Sequence, residues 1–451
     1  MKFYVETFGC QMNVADSQEM GRRLRGRGFS PTAVAAEADV ILVNTCTVRQ
    51  HAEHKALSYL GRLAGWKTSS VKRCLILAGC AAERIKDTVQ RRFPQVSVVV
   101  GAKSIAQFDE ILDAALPDLG YDAPRESLDA WGWMEGADEA HPDDSVTAFV
   151  TLMRGCNFSC SYCIVPAVRG RESYRPAAGL LAEVSAKALR GQSEVLLLGQ
   201  TVNSYRPALP NPAPGGRDVA DFADLLRAVG NLPGVRRVRF MSPHPFYVND
   251  RFIAALAETP TICPHLHLPV QSGSDAVLGR MRRNYSRGEY LAKAAALRRA
   301  VPGMSLTTDF IVGFPGETEA DFAETLSLSR EADFDGAYCF KYSPRPGTGA
   351  AALPDDVSTE VKEERLARLL EETEARSRLK AQSLVGTVHE VLIEAVRTEG
   401  GIYRLEGRTA HNRKLFVEGA VPAPGTYIRA RVSAADGKTL LGTPCEAACL
   451  S

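Results

Sequence analysis

An α/β protein built of three units in series is predicted: an amino-terminal open parallel α/β domain, a central partial (β/α) barrel and a small carboxyl-terminal antiparallel β-barrel. Three observations predict it. Strand-like apolar runs alternate with helix-permissive stretches in two separate blocks, the pattern of parallel βαβ units. A stretch rich in Asp, Glu, Gly and Pro parts the two blocks, as a solvated linker does. Near the end the runs become short and β-rich with Gly at the turns, as in small barrels that hold oligonucleotides. The units are expected over residues 1–116, 146–380 and 381–446, with 117–145 as linker.

The chain has 451 residues, 45% of them apolar and 24% charged, an ordinary globular composition long enough for several domains. Its net charge of +1 says nothing of a nucleic-acid partner, so RNA binding has to come from local patches. No apolar run approaches the ~20 residues of a membrane span, and the opening residues lack a signal-peptide pattern. A cytoplasmic protein is expected, and its eleven cysteines then point to metal or redox chemistry before disulfides.

In the first unit, apolar runs at Phe3-Tyr4-Val5, Val40-Ile41-Leu42-Val43, Leu75-Ile76-Leu77-Ala78 and Val96-Ser97-Val98-Val99-Val100 read as strands, with helical stretches such as 16–27 and 47–63 between them. Cys10, Cys46 and Cys80 each follow one of the first three strands within a few residues. Ligands of an open parallel sheet bind at the carboxyl ends of its strands, so these thiols can converge on one edge. Gly9 and Gly79 let the backbone turn tightly there. Buried core cysteines are the competing reading, and Cys74, inside a strand pattern, is assigned to the core. In the linker, Trp131 and Trp133 suggest that part of it packs on a neighbour.

The second unit opens on the run 148–153, read as a strand, followed by Cys156, Cys160 and Cys163 in a C-x3-C-x2-C loop. Three thiolates make an incomplete cage. A structural zinc site needs four ligands, and no fourth Cys or His stands at the usual short spacing. A cubane iron–sulfur cluster tolerates the gap, because its fourth iron can take a ligand from elsewhere. Zinc or a purely structural cluster remains the alternative. Tyr162 offers a ring to a bound cofactor.

Further strands are expected at 194–198, 235–240, 266–268, 305–312 and 336–340, the alternation of a complete or partial barrel whose active site lies at the carboxyl ends of its strands. The polar loops Leu198-Gly199-Gln200-Thr201-Val202-Asn203, Gln271-Ser272-Gly273-Ser274 and Asp309-Phe310-Ile311-Val312-Gly313-Phe314-Pro315-Gly316-Glu317 supply groups able to bond a nucleoside. Gly199, Gln200, Gln271, Ser272, Asp309 and Gly313 are the cofactor-binding candidates. Residues 360–380 form a charged joining helix. The third unit has β-type runs at 387–393, 402–406, 415–418 and 427–432. Cys445 and Cys449 close the chain as a C-x3-C pair read as incidental.

These motifs together resemble the radical S-adenosylmethionine methylthiotransferase family over almost the whole chain: an amino-terminal methylthiotransferase domain, a radical barrel and a TRAM domain. Gly9-Cys10-Gln11-Met12-Asn13, Asn44-Thr45-Cys46-Thr47-Val48-Arg49, Gly199-Gln200-Thr201-Val202-Asn203-Ser204-Tyr205 and Leu268-Pro269-Val270-Gln271-Ser272-Gly273-Ser274 are most similar to the branch acting on isopentenyladenosine beside the tRNA anticodon. Gln200-Thr201 departs from the commoner Gln-Asn pair, and Ala410-His411 from the usual TRAM residues.

The resemblance implies two [4Fe–4S] clusters, one on Cys156, Cys160 and Cys163 and an auxiliary one on Cys10, Cys46 and Cys80, with S-adenosylmethionine serving as radical source and as methyl donor. It implies transfer of a methylthio group to the unactivated adenine C2, with the same chemistry on threonylcarbamoyl-adenosine or a ribosomal protein as the near rival. An iron–sulfur electron carrier or RNA-binding redox sensor is the distant one. The expected partners are tRNA through its anticodon stem-loop and an external electron donor such as flavodoxin or ferredoxin, with the protein a monomer off the membrane. Arg282, Arg283 and Arg287 around Tyr285, and Arg408, Asn412, Arg413 and Lys414 on one connection, are the candidate RNA contacts, with an exposed helix face and a solvated loop as the plainer readings.

Overall fold

The computed structural model describes residues 1–48, 50–68, 72–117, 120, 145–212, 218–399, 402–418 and 423–445. Most of the expected linker, with Trp131 and Trp133, and also Cys449 and Arg49, lies outside the described residues.

In the first unit β1 (Lys2–Phe8), β2 (Ser30–Pro31), β3 (Val40–Thr45), β4 (Cys74–Gly79) and β5 (Val98–Gly101) form one parallel sheet in the order β2-β1-β3-β4-β5. Every residue of β3 and β4 is buried, because helices cover both faces of a doubly wound sheet. Val40, Leu42 and Ile76 face α1 (Gln11–Arg25), while Ile41, Val43 and Leu77 face α2 (Gln50–Arg62); α3 (Ala64–Thr68) and α4 (Cys80–Arg92) follow. The unit closes with α5 (Phe108–Ala115), whose Phe108 and Leu112 join the α1 side of the core. Cys74 is fully buried in that core. The two-residue edge strand β2 is too short to leave a periodic signal.

Six parallel strands make the second unit, in two sheets of sequential order. The first holds β6 (Thr147–Thr151), β9 (Glu194–Leu198) and β10 (Arg237–Phe240); the second holds β11 (His265–His267), β12 (Ser305–Val312) and β13 (Gly336–Lys341). A single bridge, Val238 to Ile262, joins them, and among the described residues β13 has no strand partner on its far side. The barrel is therefore partial and laterally open. A ribbon of β7 (Met153–Arg154) and β8 (Ser173–Tyr174) leaves the first strand. The helices are α6 (Val165–Arg169), α7 (Ala177–Leu189), α8 (Phe222–Gly230), α9 (Asp250–Glu258), α10 (Asp275–Arg280), α11 (Arg287–Ala300), α12 (Glu319–Glu331) and the joining helix α13 (Thr359–Gln382). Alternate strand residues, Val150, Val195, Leu197, Val238 and Phe310 among them, pack outward under these helices, as a period of two requires.

The third unit is a closed barrel of β14 (Val388–Glu399), β15 (Ile402–Thr409), β16 (Lys414–Glu418), β17 (Tyr427–Asp436) and β18 (Thr439–Pro444), in the order β14-β15-β16-β18-β17. Four of these strands fall on the β-type runs of the sequence; β18 is a fifth, and its pairing with β16 is parallel in an otherwise antiparallel barrel. Gly442 makes the closure, since a Cβ there would lie 2.7 Å from the Arg431 carbonyl.

The small barrel does not hang free. Arg237 and Arg239, on the inner face of β10, donate to the carbonyls of Arg408, Thr409 and Ala410 at 3.0, 2.7 and 3.0 Å. Arg413 pairs with Asp335 at 2.9 Å, just before β13. The 408–413 connection thus stoppers the amino-terminal end of the partial barrel.

Candidate active site

The triad loop is shaped by backbone demands that only particular residues meet. Gly155 has φ +80°, and a Cβ there would fall 2.0 Å from the Arg171 carbonyl oxygen. Its N–H donates to Gln200 Oε1 at 2.5 Å, and Ser161 is pinned to the Arg280 and Met281 carbonyls at 2.8 and 3.0 Å. The sulfurs collect hydrogen-bond partners: Cys156 Sγ lies 3.3 Å from Thr201 Oγ1, and Arg283 Nη1 donates to Cys160 Sγ at 3.3 Å. Burial raises the thiols of Cys156 and Cys163, the latter to about 12. They ionise only if a strong positive charge arrives, which metal ions provide. A cavity of about 610 Å³ opens on the triad, lined also by Phe158, Arg171, Arg282 and Gly349, within the range of small-molecule sites.

The other trio sits at three adjacent strand ends. Cys10 caps α1, Cys46 follows β3 and Cys80 opens α4. Asn13 Oδ1 meets the N–H and Sγ of Cys10 at 3.4 Å, and Asn13 Nδ2 donates to Asn44 Oδ1 at 3.1 Å, which ties the first two cysteine motifs together. Gly79, at φ +97°, leaves no room for a Cβ, which would lie 2.2 Å from Asn44 Oδ1. A hydrogen bond with Cys46, helped by Arg169 against the opposing effect of burial, brings the Cys10 thiol down to about 6. Burial raises Cys80.

The two trios meet. Cys10, Met12 and Ala15 pack on Leu196, Leu198, Phe149 and Met241, residues of the inner face of β6, β9 and the end of β10. Cys80 packs with Ile164 and Val168, at the helix that leaves Cys163, and Arg169 of that helix donates to Cys80 Sγ at 3.2 Å and pairs with Asp16 at 2.7 Å. Arg154 also pairs with the buried Glu19 across the seam. The six predicted cysteines are thereby brought to one seam between two units.

The chemistry of the C-x3-C-x2-C trio suits a cubane. Among the described residues no three His, Cys, Asp or Glu side chains are set to hold one metal ion, which needs thiolates about 2.3 Å from a common centre. A cubane spreads three thiolates over three irons, and the triad's three thiols are within electrostatic reach of one another.

The predicted cofactor contacts fare differently, and none of them lines the triad cavity. Gln200 is spent on the Gly155 N–H, and Gly199 leaves room for Met153, which a Cβ would meet at 2.5 Å. Tyr162 packs against the cluster of Val277, Phe314 and Tyr342, its hydroxyl accepting from Arg283 at 3.4 Å. Ser272 is fully buried against Thr325 at 3.3 Å, and Gly313 is a packing glycine: a Cβ would reach Lys362 Cγ at 2.3 Å. Gln271, with φ +74°, bonds the Asp309 carbonyl through its N–H at 2.9 Å. The Asp309 side chain faces the open interior, 3.4 Å from His267.

The RNA candidates fall into two environments. Arg283 turns inward to Cys160, Tyr162 and Tyr285. Arg287 pairs with Glu331 at 2.6 Å, Arg408 with Glu394 at 3.1 Å and Lys414 with Glu406, while Asn412 accepts from Arg408 at 3.3 Å. Arg413 is held by Asp335. Arg287, Arg408, Arg413 and Lys414 thus each stand in an ion pair, while Arg282 is exposed at the cavity wall. Arg169 and Asp16 were not legible in the sequence, where nothing marks an arginine as the bridge between distant loops. Phe158 stacked on His244 at 4.0 Å was missed for the same reason.

Residues 2–101 match a family described as Uncharacterized protein family UPF0004, and residues 150–329 match the Radical SAM superfamily. A protein of Sorangium cellulosum named tRNA-2-methylthio-N(6)-dimethylallyladenosine synthase is 44% identical over 99% of this chain and 94% of its own length. One of the same name from Syntrophobacter fumaroxidans is 42% identical over 97% and 94%. Among solved structures, the radical S-adenosylmethionine methyltransferase TsrM from Kitasatospora setae, with cobalamin and a [4Fe-4S] cluster bound, superposes with a TM-score of 0.53 at 13% identity over 78% of this chain and 74% of that one. At that identity the likeness concerns the fold.

Proposed function

Because the chain belongs to the family of tRNA-2-methylthio-N(6)-dimethylallyladenosine synthases, radical S-adenosylmethionine methylthiotransferases, its activity is to add a methylthio group to C2 of N6-isopentenyladenosine in tRNA, and we propose how its residues divide that work. Cys156, Cys160 and Cys163 would hold a [4Fe–4S] cluster, with S-adenosylmethionine in the cavity beside Arg171 and Gly349. Cys10, Cys46 and Cys80 would hold a second cluster. The observation that carries this division is the packing of Cys10 on the inner wall of the partial barrel, with Arg169 joining Cys80 to the triad's own helix.

When bound, these groups supply what no side chain here can: a one-electron cleavage that yields a radical able to take the C2 hydrogen, and the sulfur and methyl group that replace it. The chain's residues position and exclude. Gln200 and Gly155 fix the triad loop, and Thr201 and Arg283 place donors at two of its sulfurs. Arg169, paired with Asp16, puts a fixed positive charge at Cys80. The stopper of 408–413 and the inner-face packing of α1 keep water from two sides of the interior, where the target base enters from an unstacked loop at a cost of a few kcal/mol.

An external one-electron donor of the flavodoxin or ferredoxin class, a cytoplasmic setting and action as a monomer complete the reading. Among the described residues no helix is long and apolar enough to cross a membrane. Complementation of a strain lacking its own enzyme tests the substrate. Nucleosides from its tRNA should regain methylthio-isopentenyladenosine by mass spectrometry; restoration of a methylthio-threonylcarbamoyl product alone would overturn it. Iron and sulfide content of the Cys10/Cys46/Cys80→Ala variant tests the division: one cluster should remain and the other be lost.

A further inference from the structure

Along β13, Ala337 and Cys339 pack on the outer core, Cys339 Sγ lying 3.7 Å from Thr373 of α13. Tyr338 and Phe340 therefore face the other way, into the barrel interior, and they are 63% and 49% exposed. Their cross-strand neighbours on that face are Asp309 and Ile311, and the Tyr338 ring meets His267 edge-on at 5.8 Å. Two large rings left bare side by side inside a cleft mark a ligand surface. The opposite wall, at Leu196, Leu198 and Met241, carries Cys10. One end is stoppered by the 408–413 connection, and the triad cavity is bounded by Gly347 and Gly349, beyond the end of β13. Whatever lies on these rings faces the interior whose other wall carries Cys10, with the triad cavity past the strand end and β13's unpartnered edge as its way in.

We propose that Tyr338 and Phe340 are the wall on which the isopentenyl-adenine of the tRNA substrate rests, stacked by its base and covered along its prenyl group. The inference rests on the substrate reading above. An adenine has a flat π-face that aromatic side chains grip, and a prenyl group needs an apolar surface; a bare tyrosine and phenylalanine pair offers both. S-adenosylmethionine also carries an adenine, but the triad cavity that would hold it lies past the strand end.

The test uses the reconstituted full-length enzyme and three probes: an anticodon stem-loop RNA carrying isopentenyladenosine, the same RNA with plain adenosine, and S-adenosylmethionine alone. The wild type should prefer the isopentenylated RNA. Tyr338→Ala and Phe340→Ala should each cut that preference about tenfold with S-adenosylmethionine affinity unchanged, and Tyr338→Phe and Phe340→Leu should keep most of it. Retention of the preference in both alanine variants overturns the proposal. So does a loss of S-adenosylmethionine affinity with the RNA preference intact, which would assign the rings to the cofactor. A wild type without preference and without methylthio product would instead bring down the substrate reading, and this inference with it.

Discussion

Arg169 donates its Nε–H to Cys80 Sγ at 3.2 Å while its Nη2 is 2.7 Å from the fully buried Asp16. One side chain from the radical unit thus fixes a cysteine and an aspartate of the amino-terminal domain, and both partners depend on it. Replacing it leaves Asp16 buried and unpaired, so Arg169→Gln should destabilise the apoprotein by about 3–5 kcal/mol, measured by denaturant unfolding. Arg169→Gln with Asp16→Asn should recover much of that. If Cys80 holds the proposed second cluster, loss of a donor and a positive charge at its sulfur should lower that cluster's potential by roughly tens of mV, read on the holoenzyme by redox titration with EPR detection. An unshifted potential would show that Arg169 serves packing alone.

Gly155→Ala should empty the triad while sparing the other trio. The left-handed backbone alone costs about 1–3 kcal/mol for a non-glycine residue, and the new Cβ would press on the carbonyl oxygens of Arg171 and Gly170. Iron analysis should find one cluster missing. Full iron content would mean that the loop tolerates displacement.

The 408–413 connection should matter for stability more than for RNA. Arg413→Ala should leave the slope of log affinity for tRNA against log salt unchanged, whereas loss of a true phosphate contact lowers it by about one. Arg239→Ala, which removes two inter-unit hydrogen bonds and the nearer of the two arginines paired with buried Glu194, at 3.1 Å against 3.7 Å for Arg237, should cost about 1.5–3 kcal/mol. A flattened salt slope in the Arg413 variant would return that residue to the RNA surface.

His244 should contribute to acid sensitivity. Burial, and then Arg283 and Lys293, push its pKa from 6.5 to about 2. Below 6.5 the unfolded chain binds a proton there that the folded chain refuses, so stability is complete above that pH and falls as pH drops. Near pH 5 the loss is about 2 kcal/mol. His244→Phe, which keeps an aromatic against Phe158, should flatten the apoprotein's stability between pH 7 and 5 by that amount. An unchanged slope would place the sensitivity elsewhere.

Periodicity made the three units and most strands readable, because a strand buried on both faces or one face must repeat its apolar residues. The two-residue β2 is too short to show a pattern, and the apolar run of β18 is cut at once by Gly442 and Pro444. Side-chain roles were less readable than side-chain types. Gln200, Ser272 and Gly313 stand in the expected loops, yet Gln200 braces a backbone N–H and the other two fill packed spaces. The arginines expected at phosphates also pair with Glu331, Glu394 and Asp335, partners far away in the chain that no local pattern announces.

The sequence by itself determined the chemistry: thiol type and spacing, glycines beside them and strands ahead of them decide what a loop can hold, since these are local properties of a few linked residues. Only the tertiary structure decided where that chemistry is aimed. The seating of α1 on the inner wall, the reach of Arg169 from one trio to the other, the plug at the barrel's base and the bare rings of β13 all join residues far apart in the chain. Such contacts depend on which faces are left over after each unit has buried its own core, and no local pattern carries that information.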